Sequence, residues 1–233
     1  MSHVHPLLHA LSTIMLYSNN YVAVASSFAA DLYPVKQITH YELYFGEDNR
    51  SEKAIKYTID KLSRKLSFDE LLGVAIHLLG DLYWELKIRR YLKNIEFNER
   101  RLIETLWAHT FIKSYPSLLT KLISVLKKEY LSMIDFVWKI GLADDFSYGV
   151  MKYEVYLITE KFLEHDYILI KYKSFYAQHE NQILFISNTF NFNELLDFIK
   201  ENILCLINGH KQKVERISCL LYTSDAADEL DGV

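Results

Sequence analysis

A chain of 233 residues that is half hydrophobic and 14 % aromatic can bury a sizeable core, which excludes a disordered segment. Its 26 basic and 30 acidic residues give a net charge of −4, so no global positive field draws it to nucleic acid or to an acidic membrane surface. Seven Gly and three Pro are few turn-formers for this length; they favour a small number of long elements over a many-stranded sandwich or barrel.

The first long segment runs from about Leu7 to Tyr33 with helical apolar spacing, closed by Pro34. No Lys or Arg precedes Lys36, so a basic secretory leader is not expected. His9, Ser12, Thr13, Ser18, Asn19, Asn20, Ser26 and Ser27 interrupt the apolar run, which therefore reads as a buried helix and not a membrane span. Val35 to Arg50 alternates weakly like a strand before the turn signal at Gly46, and a helix is expected from Ser51 to about Leu66. Ser67-Phe-Asp-Glu70 reads as a capping box opening a long helix through about Lys93. Asn98 is the expected cap of the next helix, which ends before Pro116. Ser117 leads another to Ile140, stopped by Gly141, and a further helix covers about Phe146 to Glu164. Tyr167–Tyr176 and Ile183–Ser187, β-branched and aromatic around a polar stretch, predict a β-hairpin. Asn191 followed by Glu194 begins a last helix to Ile207. The expected fold is mainly α: a bundle of about six or seven helices with one small β-hairpin near the C-terminal end.

The final residues read differently. The eleven residues from Cys219 to Glu229 (CLLYTSDAADE) resemble, letter for letter, the translation of a tagmentation adapter, the oligonucleotide that a transposase attaches to DNA before sequencing. Leu230 to Val233 then correspond to index and primer bases. The chain is thus expected to be a truncated metagenomic fragment: residues 1–218 as a single mostly helical domain, read as the N-terminal part of a larger protein, and 219–233 as adapter-derived sequence. Setting the tail aside removes Asp225, Asp228, Glu229 and Asp231 and leaves 26 acidic against 26 basic residues. It also leaves Cys205 alone, which rules out an intramolecular disulfide or a multi-cysteine zinc site and points to a reducing, cytoplasmic setting. In Ile-Leu-Cys-Leu-Ile, Cys205 is expected to be a small buried hydrophobe.

Dinucleotide, phosphate-loop, zinc-protease, CxxC and nucleophile-elbow motifs are all missing from the sequence. The best constellation lies on the helix after Ser67. Leu71, Leu72, Ala75, Leu78, Leu79, Leu82 and Leu86 form one apolar face, and Val74, His77, Asp81, Trp84 and Ile88 a second stripe, so this helix is expected to be central and buried. His77 and Asp81 stand one turn apart, where the carboxylate can orient or charge the imidazole; they are the candidate catalytic pair, weighed against a buried pair that satisfies polarity. Glu85 lies one turn further.

Near the N-terminus His5 and His9 have metal-sharing i, i+4 spacing, but no third ligand is assignable, so neither a metal site nor a cofactor is expected. Arg100 and Arg101 stand too far from His109 for the R-x4–6-H motif of HEPN-type ribonucleases. His165-Asp166 lacks the flanking helical ligands of HD-type phosphohydrolases. Helices followed by a hairpin resemble a winged helix-turn-helix, which implies a nucleic-acid contact through Lys171 and Lys173, beside Tyr172 and Tyr176, supported by Arg89 and Arg90 in the strongest basic run of the chain. Three functions follow in order: a non-enzymatic helical interaction or structural domain whose partner is another protein or the missing C-terminal region; an enzyme processing nucleic acid or nucleotides, centred on His77 and Asp81; and a nucleic-acid-binding module using the 167–187 hairpin.

Overall fold

The computed structural model describes residues 6–32, 35, 39, 52–141 and 172–207, of which the side chains of Glu52, Phe97 and Arg101 are left aside. Ten α-helices lie among the described residues: α1 (Pro6–Leu16), α2 (Tyr21–Ala29), α3 (Glu52–Leu62), α4 (Phe68–Lys87), α5 (Phe97–Lys113), α6 (Pro116–Lys128), α7 (Tyr130–Lys139), α8 (Lys173–Gln178), α9 (Glu180–Thr189) and α10 (Phe192–Ile207). A short 3-10 turn, Arg89–Tyr91, follows α4. The mainly helical expectation holds; the number of helices exceeds it because continuous apolar spacing hides two turns and because the described part of the expected hairpin is helical.

Two such turns are visible. The segment expected as one helix from Leu7 to Tyr33 breaks at residues 17–20, where Asn20 caps α2 by accepting from the Ala23 amide at 3.1 Å and donates to Asp69 Oδ1 at 3.0 Å. The one expected from Ser117 to Ile140 starts at Pro116, whose missing N–H costs nothing in the first turn, and changes direction at Glu129. Gly141 closes it at φ 96°, the left-handed conformation that favours glycine. The α5 cap is Glu96, not Asn98: its carboxylate accepts from the Asn98 and Glu99 amides at 2.9 and 3.2 Å.

The predicted second strand is helix. Ile183–Ser187 lies inside α9, and Lys173–Tyr176 of the first strand lies in α8, while residues 167–171 fall outside the described residues. β-branched composition suggested a strand, but Ile183 and Ile186 are three apart and both buried, the spacing of a helix face. The helix expected over 146–164 and most of the connector 35–50 also lie outside the described residues.

Helix α4 organises the rest. Its capping box forms as the sequence indicates: Ser67 Oγ accepts from the Glu70 amide at 3.4 Å, and Glu70 Oε2 accepts from the Ser67 amide at 2.7 Å. The other oxygen of Glu70 takes Lys139 Nζ of α7 at 2.9 Å, and Asp135 and Glu70 together raise the Lys139 pKa. Ser67→Ala is expected to lower stability by about 1 kcal/mol in urea denaturation; no change would mean that Lys139 alone holds Glu70. Every residue from Glu70 to Trp84 is buried. The N-terminal pair α1 and α2 packs on one side, α2 through the most extensive helix interface of the fold, and α10 and α3 pack on α4 as well. Leu86, expected on an apolar face, is exposed.

On the α10 side, Tyr83 donates to the Asn191 carbonyl at 3.3 Å, and the Asn191 side chain caps α10 through the Asn193 and Glu194 amides. Burial, then the adjacent Glu194 charge, pushes the Tyr83 phenol from 10.0 up to about 12. A phenol that ionises later in the native state than in the unfolded chain supports the fold fully below pH 10. That support is lost as the pH rises from 10 through about 12. Ultraviolet titration of phenolate should show this late tyrosine, and Glu194→Gln should bring it down; native ionisation of every tyrosine near pH 10 would contradict it. Cys205 was expected to be buried but is exposed, because the buried face of α10 is Leu195, Leu196, Ile199, Ile203, Leu206 and Ile207.

Candidate functional site

One face of α4 carries Gly73, His77 and Gly80 at spacings of four and three. Gly73 lets the α2 backbone ride directly on α4: a Cβ there would stand 2.3 Å from the Ala23 carbonyl oxygen and 2.9 Å from the Ser27 nitrogen. At Gly80 a Cβ would meet the His9 ring, 2.8 Å from Nδ1 and 3.1 Å from Cε1. Two glycines two turns apart therefore seat α2 and the imidazole of α1, and His77 stands between them.

The His77 ring is oriented by the end of α2. Its Nδ1 lies 3.1 Å from the Ser27 carbonyl, one of the last four carbonyls of that helix, which have no intrahelical donor. A carbonyl only accepts, so Nδ1 carries the proton and donates, and Nε2 turns toward Asp81 Oδ2 at 3.7 Å. His9 enters from α1, with Nε2 3.5 Å from Asp81 Oδ1 and its ring 3.9 Å from that of His77 at an interplanar angle of 45°. His9, His77 and Asp81 are 2 %, 0 % and 1 % exposed. One donor atom from each lies within 4.8 Å of the others. Of the polar neighbours on α1 and α2, Ser12, Thr13 and Ser26 donate to carbonyls one turn back at 2.8–2.9 Å, whereas Ser27 Oγ makes no hydrogen bond.

The sequence paired His9 with His5, which lies outside the described residues; the fold instead pairs His9 with the two α4 residues. The expectation of no metal site rested on a missing third ligand, and the arrangement of α1 against α4 supplies three candidates.

A second polar group closes the other end of α4. The Trp84 indole donates to Glu104 Oε1 of α5 at 3.0 Å, Arg89 Nε lies 3.9 Å from the same oxygen, and Arg89 Nη1 pairs with Glu85. Arg89 is 7 % exposed. It is therefore part of an internal ion-pair group, and this corrects its expected place in a nucleic-acid surface. Arg90 is exposed, with its guanidinium 4.7 Å above the Tyr91 ring. Lys173 is exposed on α8; Lys171, like His165 and Asp166, lies outside the described residues. His109 is buried on α5.

Comparison of the chain with protein-family models, with curated proteins and with solved structures finds no match. Among the described residues no helix is long and apolar enough to cross a membrane.

Proposed function

We propose that the chain is a non-catalytic helical domain of structural or interaction type, working with a partner protein. The observation that carries this reading is the closure of the His77–Asp81 pair. A general base must come within about 3 Å of the proton it removes, directly or through one water, and here α1 and α2 cover both side chains. The rings and the carboxylate face each other across the helix contact instead of a cleft. A solvent-facing apolar strip on α7 supports the interaction side of the reading: Leu131 and Trp138, two turns apart, are 75 % and 56 % exposed.

Activity screening tests it. The full chain, incubated with single- and double-stranded RNA and DNA and with nucleoside triphosphates, with and without divalent metal, should show no turnover above buffer. Turnover that disappears in a folded Asp81→Asn variant would overturn the reading in favour of the nucleic-acid- or nucleotide-processing enzyme. Salt-sensitive binding of mixed-sequence nucleic acid, lost on Arg90→Ala or Lys173→Ala, would favour the binding module.

A further inference from the structure

We propose that His9, His77 and Asp81 together bind one divalent transition-metal ion of the zinc class, which staples α1 to α4. This goes beyond the reading above, and its test reads occupancy, not turnover.

The spacing of the three groups carries the inference. Charge-assisted N–H···O contacts run at about 2.7–2.9 Å, whereas the two His–Asp separations are 3.5 and 3.7 Å. Those separations are too long for good hydrogen bonds and suit two ligands of a common ion. Donors about 2.1 Å from one zinc stand roughly 3.4 Å apart in a tetrahedron; the His9 and His77 nitrogens lie 3.5 and 3.7 Å from the two oxygens of the Asp81 carboxylate. The electronic preparation agrees. With Nδ1–H given to the Ser27 carbonyl, the His77 ring is held with Nε2 on the side of Asp81. An imidazole whose other nitrogen donates to a backbone carbonyl is the arrangement that fixes a metal-ligating histidine. His9 Nε2 makes no hydrogen bond, and the absent side chain of Gly80 lets its ring sit flat on α4.

Two imidazoles and one carboxylate suit zinc, cobalt, nickel or iron and not calcium or magnesium, which take oxygen ligands. Burial of all three groups means that the ion is taken up as α1 docks on α4, coupling occupancy to folding.

The full chain without a polyhistidine tag, stripped with EDTA and re-equilibrated with zinc, should retain about one ion per chain through gel filtration, measured by plasma mass spectrometry. Folded His9→Gln, His77→Gln and Asp81→Asn variants, each checked by circular dichroism, should bind at least about tenfold more weakly. A His3→Ala, His5→Ala double variant should retain the ion. If the core variants do not fold, X-ray absorption at the zinc edge of the wild-type chain decides alone: two imidazoles in the first shell support the site, and none overturns it. Wild-type occupancy below about one ion in ten chains, or full occupancy in folded His77→Gln, would also overturn it.

Discussion

Gly73→Ala is expected to destabilise the chain by at least about 3 kcal/mol, the upper end of overpacking costs. The added carbon would stand 2.3 Å from a backbone oxygen, that of Ala23, so no side-chain rotation relieves it. Helices α2 and α4 must separate along the most extensive interface in the fold, opening the contacts of Val24, Phe28 and Leu72 with their neighbours. Gly80→Ala should cost less, because it meets the end of the His9 side chain, which can rotate away; its effect falls on the His9–Asp81 contact. Urea midpoints of the two variants check this order. A loss below about 1 kcal/mol for Gly73→Ala would mean that α2 shifts freely on α4.

Asp81→Ala is expected to cost about 1–3 kcal/mol, the range for leaving buried polar groups without the partner they face. The carboxylate faces His9 on one side and His77 on the other, so its loss removes the groups' common partner and leaves a cavity beneath two imidazoles. The coupling is separable. In a double-mutant cycle, His9→Ala should cost less in the Asp81→Ala background than alone, by more than about 0.5 kcal/mol. Additive costs would show that His9 is held by packing alone.

What the sequence made legible about this site was its local half. The capping box at Ser67, the two apolar stripes of α4 and the one-turn spacing of His77 and Asp81 all repeat within a few residues, so periodicity exposes them. His9 was invisible as their partner because it comes from another helix far back in the chain, and nothing in local spacing encodes which helix faces which. The available signal was Gly80: a glycine inside a strongly apolar helix, one residue before Asp81, marks a close approach from outside. The turns at residues 17–20 and at Glu129 were hidden for the opposite reason, since apolar residues keep a helical rhythm across both breaks. Arg89 was misplaced because a run of basic residues reads as one solvated face, whereas the 3-10 turn after α4 swings Arg89 inward to Glu104 and leaves Arg90 outside.

The two-sidedness of α4 also sets the order in which this protein can be made. Tyr83 meets Asn191 and Lys87 meets Glu194, in each case across more than one hundred residues of chain. During synthesis the N-terminal pair α1 and α2 can cover its own side of α4 early. The side that α10 covers waits until that helix has been translated, and only then can the contacts of Tyr83 and Lys87 with it close. A nascent chain stalled before residue 192 would therefore present the apolar flank of α4 that α10 covers, the kind of surface that chaperones hold.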